Sequence, residues 1–376
     1  MKRIGVIGGG QLAWMMASAA QELGIELVVQ TPHPSDIGAE LAAEIVIAAV
    51  DDVAATQLLA TKCDVITFEN EFVDLAGLGQ LDPVFRPPLA ALAPLLDKYT
   101  QRCYLRDLGL PVPKFAMLSQ PELPTGFEFP VVVKARRNGY DGQGTFIIKT
   151  KSALVDLDHC YPDTPFLVEE FVDFDRELAV IAARGANGDV VTYPILETQQ
   201  QDQVCRRVFT LHDLPESMVE ACRSIATKLL VSLDAIGVFG VELFATRDGR
   251  VLVNEIAPRT HNSGHLTIEA CATSQFSQLI RAVAGLPLGS TELTGGGAVM
   301  VNLLGYEDSH SDYLPQRHQI SAIPNAHVHW YGKQSRSGRK LGHVTVLVGT
   351  DPSQLSQNFR SQAEAIAQQV ETIWHA

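Results

Sequence analysis

VELFATRDGRVLVNE, residues Val241–Glu255, places Asp248–Gly249 between two runs rich in apolar residues. Asp-Gly in that setting is a strong hairpin signal. A two-residue turn there pairs Arg247 with Arg250, Thr246 with Val251 and Phe244 with Val253. Glu242 then lands opposite Glu255. Directly opposed side chains have Cβ atoms about 4.5–5.5 Å apart. Two carboxylates that close repel, and one pKa rises unless something compensates. A divalent cation is the economical compensation, because Mg²⁺ is commonly held by one or two carboxylates plus substrate phosphates. A register slip of one residue would put the two carboxylates on opposite faces.

Upstream, KARRNGYDGQGTF (Lys134–Phe146) ends one apolar strand at Lys134 and starts another at Thr145. Gly139, Gly142 and Gly144 make a flexible hairpin that exposes backbone N–H groups to phosphate oxygens. Lys134 adds a point charge toward a nucleotide phosphate. The order of a Walker A loop is absent.

Near the start, VIGGGQLAWMM (Val6–Met16) fits G-x-G-x-x-A through Gly8, Gly10 and Ala13. A dinucleotide fingerprint also wants an acidic residue at the end of the second strand. That position carries Gln30 and Thr31, so NAD is not expected. Glycines at a strand-to-helix turn still offer an anion site at the helix N-terminus.

The first hundred residues alternate strand and helix: strands Arg3–Ile7, Glu26–Gln30, Ile45–Ile47 and Asp64–Phe68, helices Gln11–Leu23 and Val53–Leu59. That pattern predicts a parallel sheet. The proline-rich Phe85–Pro94 reads as a connector. A helix over Asp97–Leu108 and a strand at Phe166–Glu170 frame the glycine loop. Strands then dominate: Glu177–Arg184, Asp189–Leu196, Val238–Thr246 and Val251–Ile256. Helices are expected at Glu216–Ser232 and Ser274–Ala284. The tail adds strands Ala326–Trp330 and His343–Val348 and a helix from Ser353 to Thr372. The fold class is α/β, followed by two α+β segments.

The net charge of −14 disfavours nucleic acid as a partner. No apolar run reaches the roughly 18 residues of a membrane span, so no membrane is expected. Six scattered cysteines without CxxC read as reduced thiols in the cytoplasm. Against that acidity, KQSRSGRK (Lys333–Lys340) carries four cations in eight residues and reads as a phosphate site. His261 and His265 are four apart, but Ser263 and Gly264 weaken a helix there and no third ligand is apparent, so zinc is not expected.

Lys134, GYDGQGT, FLVEEFVDFDRE and the pair Glu242/Glu255 together resemble the ATP-grasp superfamily. NEIAPRTHNSGH, QFSQLIRAVAGLPL, the early GGGQL and TFENE, and the late HWYGKQSRSGRKLGH narrow the resemblance to the N5-carboxyaminoimidazole ribonucleotide synthetases of purine biosynthesis. It runs from Ile4 to about Val348. It implies an ATP-grasp fold with an N-terminal Rossmann-like (pre-ATP-grasp) domain over 1–102. A small lid domain would occupy 103–170. A large domain with a C-terminal substrate-phosphate region would occupy 171–376. The implied reaction is Mg-ATP-dependent carboxylation of 5-aminoimidazole ribonucleotide by bicarbonate, through carboxyphosphate, in a cytoplasmic homodimer. A formate-dependent glycinamide ribonucleotide transformylase is the sibling alternative.

The resemblance also implies roles. Lys98 and Lys134 would touch ATP phosphates, with Gly139, Tyr140, Asp141, Gly142, Gln143, Gly144 and Thr145 closing over them. Glu169, Glu170, Phe171 and Val172 would line the adenine site, Glu170 to Val172 through the backbone. Glu177 would accept from the ribose hydroxyls, and Gln200 would join the nucleotide contacts. Glu242 and Glu255 would bind Mg²⁺, with Asn254 adjoining. Glu69, Tyr140 and Asp141 would approach the aminoimidazole, with Glu69 or Glu71 left open as the acidic contact. Arg259, His261, Asn262 and Ser263 would hold bicarbonate or carboxyphosphate. Gln11 and Leu12 would help place the ribonucleotide, whose phosphate would meet Lys333, Arg339 and Lys340.

Overall fold

A computed structural model describes residues 2–119, 121–137, 144–349 and 359–376. The expected loop residues Gly139, Tyr140, Asp141, Gly142 and Gln143 lie outside the described residues, as does the expected start of the last helix.

Strands β1 (Arg3–Ile7), β2 (Glu26–Thr31), β3 (Glu44–Ile47) and β4 (Val65–Phe68) form a parallel sheet in the order β3-β2-β1-β4. Ile4, Val6 and Ile7 are fully buried, because helices cover both faces of such a sheet and its strands read as continuous apolar runs. The helices are α1 (Gln11–Glu22) and α2 (Val53–Ala60). The Asp52 carboxylate caps α2 by accepting the Ala55 N–H at 2.9 Å. One-turn helices α3 (Leu75–Leu78) and α4 (Leu89–Leu92) lead to α5 (Lys98–Asp107). Asp97 caps α5 through the Tyr99 and Thr100 N–H groups, both at 3.0 Å.

The second sheet is antiparallel. Strands β5 (Phe115–Leu118), β6 (Val131–Ala135), β7 (Thr145–Ile148) and β8 (Phe166–Glu170) run in the order β5-β8-β6-β7. Helix α6 (Lys151–Cys160) presses Leu154 and Leu157 onto Val131 and Val133.

The third sheet holds β9 (Phe174–Arg184), β10 (Val190–Thr192), β11 (Leu196–Gln201), β12 (Val204–Thr210), β13 (Gly237–Thr246), β14 (Val251–Ala257), β15 (Ala298–Leu304), β16 (Ala326–Trp330) and β17 (Lys340–Leu347). Its order is β14-β13-β9-β11-β12-β15-β17-β16, with β10 also beside β9. Helix α7 (Glu216–Ser232) covers one face with Leu105 of α5. The one-turn α8 (Thr267–Ala270) and then α9 (Gln275–Ala284) cover the other, and α9 packs on α1. Helices α10 (Leu314–Ser321) and α11 (Phe359–Trp374) close the far end. The C-terminal end of α9 joins the first and third layers. Gly285 there takes a left-handed φ of +73°. Arg86 Nη1 donates to the Val283 carbonyl at 2.7 Å, and Lys2 Nζ donates to that of Ala284. Cations favour a helix C-terminus, where carbonyls lack partners.

Most expected elements stand within a residue or two of their predicted ends. The expected strand Asp189–Leu196 does not. It is β10, then a break at Tyr193–Ile195, then β11 as far as Gln201. Pro194 has no N–H for the ladder. Strands β12 and β15 were not anticipated. Arg206 and Arg207 disguise β12, and Arg207 is absorbed by a 2.8 Å hydrogen bond to Glu371 of α11.

Two of the three glycines after β1, Gly8 and Gly10, prove to make room for a carboxylate, while Gly9 makes room for Thr31. A Cβ on Gly8 would lie 2.3 Å from Glu69 Oε2, and one on Gly10 would lie 2.4 Å from Glu69 Oε1. The Gly10 N–H donates to Glu69. The anion at the N-terminus of α1 is therefore this chain's own side chain. Gly8 also has φ +108°. Gly8→Ala should cost about 1–3 kcal/mol from clash and strain, read as a lowered urea midpoint. Gly24→Ala, also left-handed but with nothing within 4 Å, should cost less.

Candidate active site

The acidic hairpin reaches its expected pairing by an unexpected route. Its turn is not a two-residue one. The Gly249 N–H donates to the Thr246 carbonyl and the Thr246 N–H to the Arg250 carbonyl, both at 2.9 Å. Gly249 takes φ +83°. This longer turn sets Ala245 opposite Val251 and Leu243 opposite Val253, one residue off the expected register. A bulge between Glu242 and Leu243, with Asn254 as the extra residue, restores it, and Glu242 does face Glu255.

Cations meet this pair from another sheet and from α5. Lys98 Nζ lies 2.7 Å from Glu255 Oε1. Desolvation pushes the Glu255 carboxyl up, but Lys98 and Lys134 more than reverse it, and it ends below the usual carboxylate range. Glu242 Oε1 lies 3.3 Å from His261 Nε2, and Asn254 Nδ2 lies 3.4 Å from Glu242 Oε2. Behind them Glu169 is buried between Arg102 Nε and Lys134 Nζ, the latter at 2.9 Å. Burial raises its carboxyl, yet the two cations hold it down at about 2. Arg102 Nη2 donates to the Asn254 carbonyl at 2.6 Å, and Lys134 Nζ donates to Asn254 Oδ1 at 3.0 Å.

Lys98, Lys134, Glu169, Glu242, Asn254, Glu255 and His261 line one cleft of about 680 Å³, and Arg102 lies outside that lining. Thr145, Glu170, Phe171, Val172, Glu177 and Gln200 line one end, with Gly144 next to Thr145. Glu169 lines it too, but both its oxygens are engaged by Arg102 and Lys134. The Glu170 carboxylate accepts the Lys114 N–H at 2.8 Å. Glu177 Oε2 is buried without a hydrogen-bond partner. Burial, and then Glu242, lift the Glu177 carboxyl to about 7, against a hydrogen bond from Gln200. Phe174 and Phe244 stack at 4.7 Å between centroids on the same wall.

The opposite end carries the loop after β14. Arg259 Nε lies 2.6 Å from Glu71 Oε2. His261 Nδ1 lies 2.8 Å from Ser263 Oγ. Asn262 and Asn302 exchange amide hydrogen bonds of 3.0 and 2.8 Å. Glu69 and Glu71 both line the cleft, Glu69 bound to the α1 terminus and Glu71 to Arg259. Burial raises the Glu69 carboxyl despite Arg259 and Lys333 nearby. Gln11 and Leu12 line this end, as does Lys340. Lys333 Nζ reaches Gln11 Oε1. Arg339 lies outside the lining, and its Nη1 donates to the Gln334 carbonyl at 3.1 Å.

The donor set suits Mg²⁺. Two facing carboxylates, with the unpartnered Glu177 oxygen near them, offer hard oxygen ligands beside cations suited to phosphates. Arg102, Asn302 and the Phe174/Phe244 stack were not foreseen, and Glu71, left open beside Glu69, proves to be the partner of Arg259. Arg102 had a signal: it follows Lys98 by four residues, on the same face of α5. The others depend on contacts between distant segments.

The chain matches three family models: a ribonucleotide synthetase preATP-grasp domain over residues 1–92, an ATP-grasp domain over 103–276 and a phosphoribosylaminoimidazole carboxylase C-terminal domain over 298–358. It is 51% identical to the N5-carboxyaminoimidazole ribonucleotide synthase of Synechococcus elongatus, covering 100% of this chain and 96% of that protein. The crystal structure of the Thermotoga maritima synthetase matches with a TM-score of 0.87 at 38% identity, covering 99% of this chain and 98% of that one. An Aspergillus clavatus synthase, in complex with ADP and 5-aminoimidazole ribonucleotide, matches with a TM-score of 0.90 at 29% identity, covering 100% and 98%. The chain belongs to the N5-carboxyaminoimidazole ribonucleotide synthase family and has its ATP-grasp fold.

Arg102→Met should leave Glu169 buried with one cation instead of two. The expected cost is about 3–5 kcal/mol, measured by urea unfolding.

Proposed function

We propose that this chain is the ATP-dependent carbon–nitrogen ligase that carboxylates 5-aminoimidazole ribonucleotide with bicarbonate in purine biosynthesis. The products are N5-carboxyaminoimidazole ribonucleotide, ADP and phosphate. The observation that carries this reading is the single cleft in which Lys98, Lys134 and the Glu242/Glu255 pair face the loop of Arg259, His261 and Asn262. Full-length identity to synthases of this name favours it over the transformylase alternative.

In this reading the domains divide at 1–102, 103–170 and 171–376. Lys98 and Lys134 orient the ATP phosphates, together with the loop 139–145. The adenine takes the wall of Glu170 to Val172, and Glu177 accepts from the ribose hydroxyls, which suits its unpartnered oxygen. Glu242 and Glu255 would hold Mg²⁺, which supplies charge neutralisation on the phosphates when bound. Bicarbonate oxygen attacks the terminal phosphorus, ADP leaves, and carboxyphosphate forms. Arg259, His261, Asn262 and Ser263 donate to this dianion. The substrate amine then attacks the carboxyl carbon, or CO₂ released from it, losing a proton as phosphate departs. Glu69, Tyr140 and Asp141 approach the aminoimidazole. Gln11, Leu12, Lys333, Arg339 and Lys340 place the ribonucleotide and its phosphate. We also propose a homodimer and a cytoplasmic location, where reduced thiols such as the six free cysteines persist. No helix of the described residues is long and apolar enough to cross a membrane.

ADP release should require both bicarbonate and aminoimidazole ribonucleotide. Release with glycinamide ribonucleotide and formate instead would refute the reading. Glu255→Gln should lower kcat roughly 100-fold or more, and Lys333→Ala should raise the KM for the ribonucleotide roughly 10-fold or more while leaving that for ATP unchanged. Ionised Glu177 is the better acceptor, so ATP KM should fall as pH rises through about 7. Glu177→Gln should flatten that dependence.

A further inference from the structure

We infer that Gln275, at the first turn of α9, is a positioning residue that grips the main chain of His261 and so aims the anion-binding loop. The inference rests on the functional reading above.

Gln275 is fully buried. Its Oε1 accepts the His261 N–H at 2.9 Å, and its Nε2 donates to the His261 carbonyl at 2.7 Å. One side-chain amide thus makes both bonds that a neighbouring strand would make. Nε2 also lies 3.1 Å from His265 Nδ1. The Gln275 N–H donates to Thr267 Oγ1 at 2.9 Å, and that hydroxyl donates to the Gly264 carbonyl at 2.6 Å. A Cβ on Gly264 would lie 2.5 Å from Gln275 Oε1, so the loop is shaped to admit this amide. With its backbone fixed, His261 has its ring set by Ser263 on one side and Glu242 on the other.

The chemistry of the grip is selective. An apolar side chain would leave a buried N–H and C=O unpaired. A carboxylate would accept from the N–H, repel the carbonyl and place negative charge beside groups that must receive a dianion. A neutral group that both donates and accepts satisfies the requirement. Asn302 grips Asn262 with the same functional group.

The test compares Gln275→Met and Gln275→Glu in the intact enzyme. A protonated glutamate reproduces the amide, with O–H in place of N–H; an ionised one does not. Burial raises a carboxyl pKa into the working range. The titratable groups facing position 275 are His261 and His265 of the loop; α8 offers the Thr267 hydroxyl. Burial holds His265 neutral.

Gln275→Met should lose on the order of 100-fold in kcat/KM for bicarbonate, with the ATP KM unchanged and a pH-independent ratio to wild type. The ratio of Gln275→Glu to wild type should climb as pH is lowered. If Gln275→Met fails to fold, the pH ratio of Gln275→Glu decides. Wild-type kcat/KM in Gln275→Met, an equal rise in ATP KM, or a flat pH ratio for Gln275→Glu would each overturn the inference. Wild-type enzyme that releases ADP without bicarbonate would instead refute the functional reading.

Discussion

The carboxylate of Glu169 sits between Arg102 and Lys134, almost out of reach of water. Taking three ions out of water is costly, and only close mutual pairing offsets it. Each therefore fixes the other two. Arg102 and Lys134 also hold the carbonyl and side chain of Asn254. One buried cluster thus ties α5 and the small sheet to β14 of the large sheet. Lys98, one turn before Arg102 on α5, reaches Glu255. Of that cluster, Arg102 lies outside the cleft lining, whereas Lys134 and Glu169 are part of it.

The other end follows the opposite rule. Neutral amides hold its loop: Gln275 on His261 and Asn302 on Asn262. These amides add no charge, while carboxylates meet two of the loop's side chains, Glu71 on Arg259 and Glu242 beside His261. The glycines after β1 belong to this end. They bring the N-terminus of α1 against Glu69, which occupies the place a ligand phosphate would take. The phosphate reading then falls to the basic segment 333–340, of which Lys340 lines the cleft and Lys333 reaches it through Gln11.

Periodicity and turn residues made most of the architecture legible. β1, β8 and α7 were placed to the residue because apolar runs end at clear breaks. β15 lacks that contrast. The alternation of β12 is hidden by arginines whose partner, Glu371, lies 164 residues away. In the site, residues carried by motifs reached the cleft: Lys98, Lys134, Glu242, Glu255, Arg259 and His261. Asn302 and Gln275 had no role assigned from the sequence, because their meaning lies in what they touch; Glu71 was one of two candidates, and Arg102 carried only its spacing from Lys98. Glu169 was legible as a site residue, but its engagement by Arg102 and Lys134 was not.

The acidic hairpin contains two departures from the simplest ladder, and they cancel. The turn is one residue longer than expected, and the bulge at Asn254 takes up the excess. What the site requires is parity: an even number of offsets between Glu242 and Glu255. A change of one residue in the loop, or loss of the bulge alone, turns one carboxylate to the far face. A matched pair of changes leaves both where they are. Loop length and bulge are therefore coupled, and the two glutamates stay on one face only if both change together.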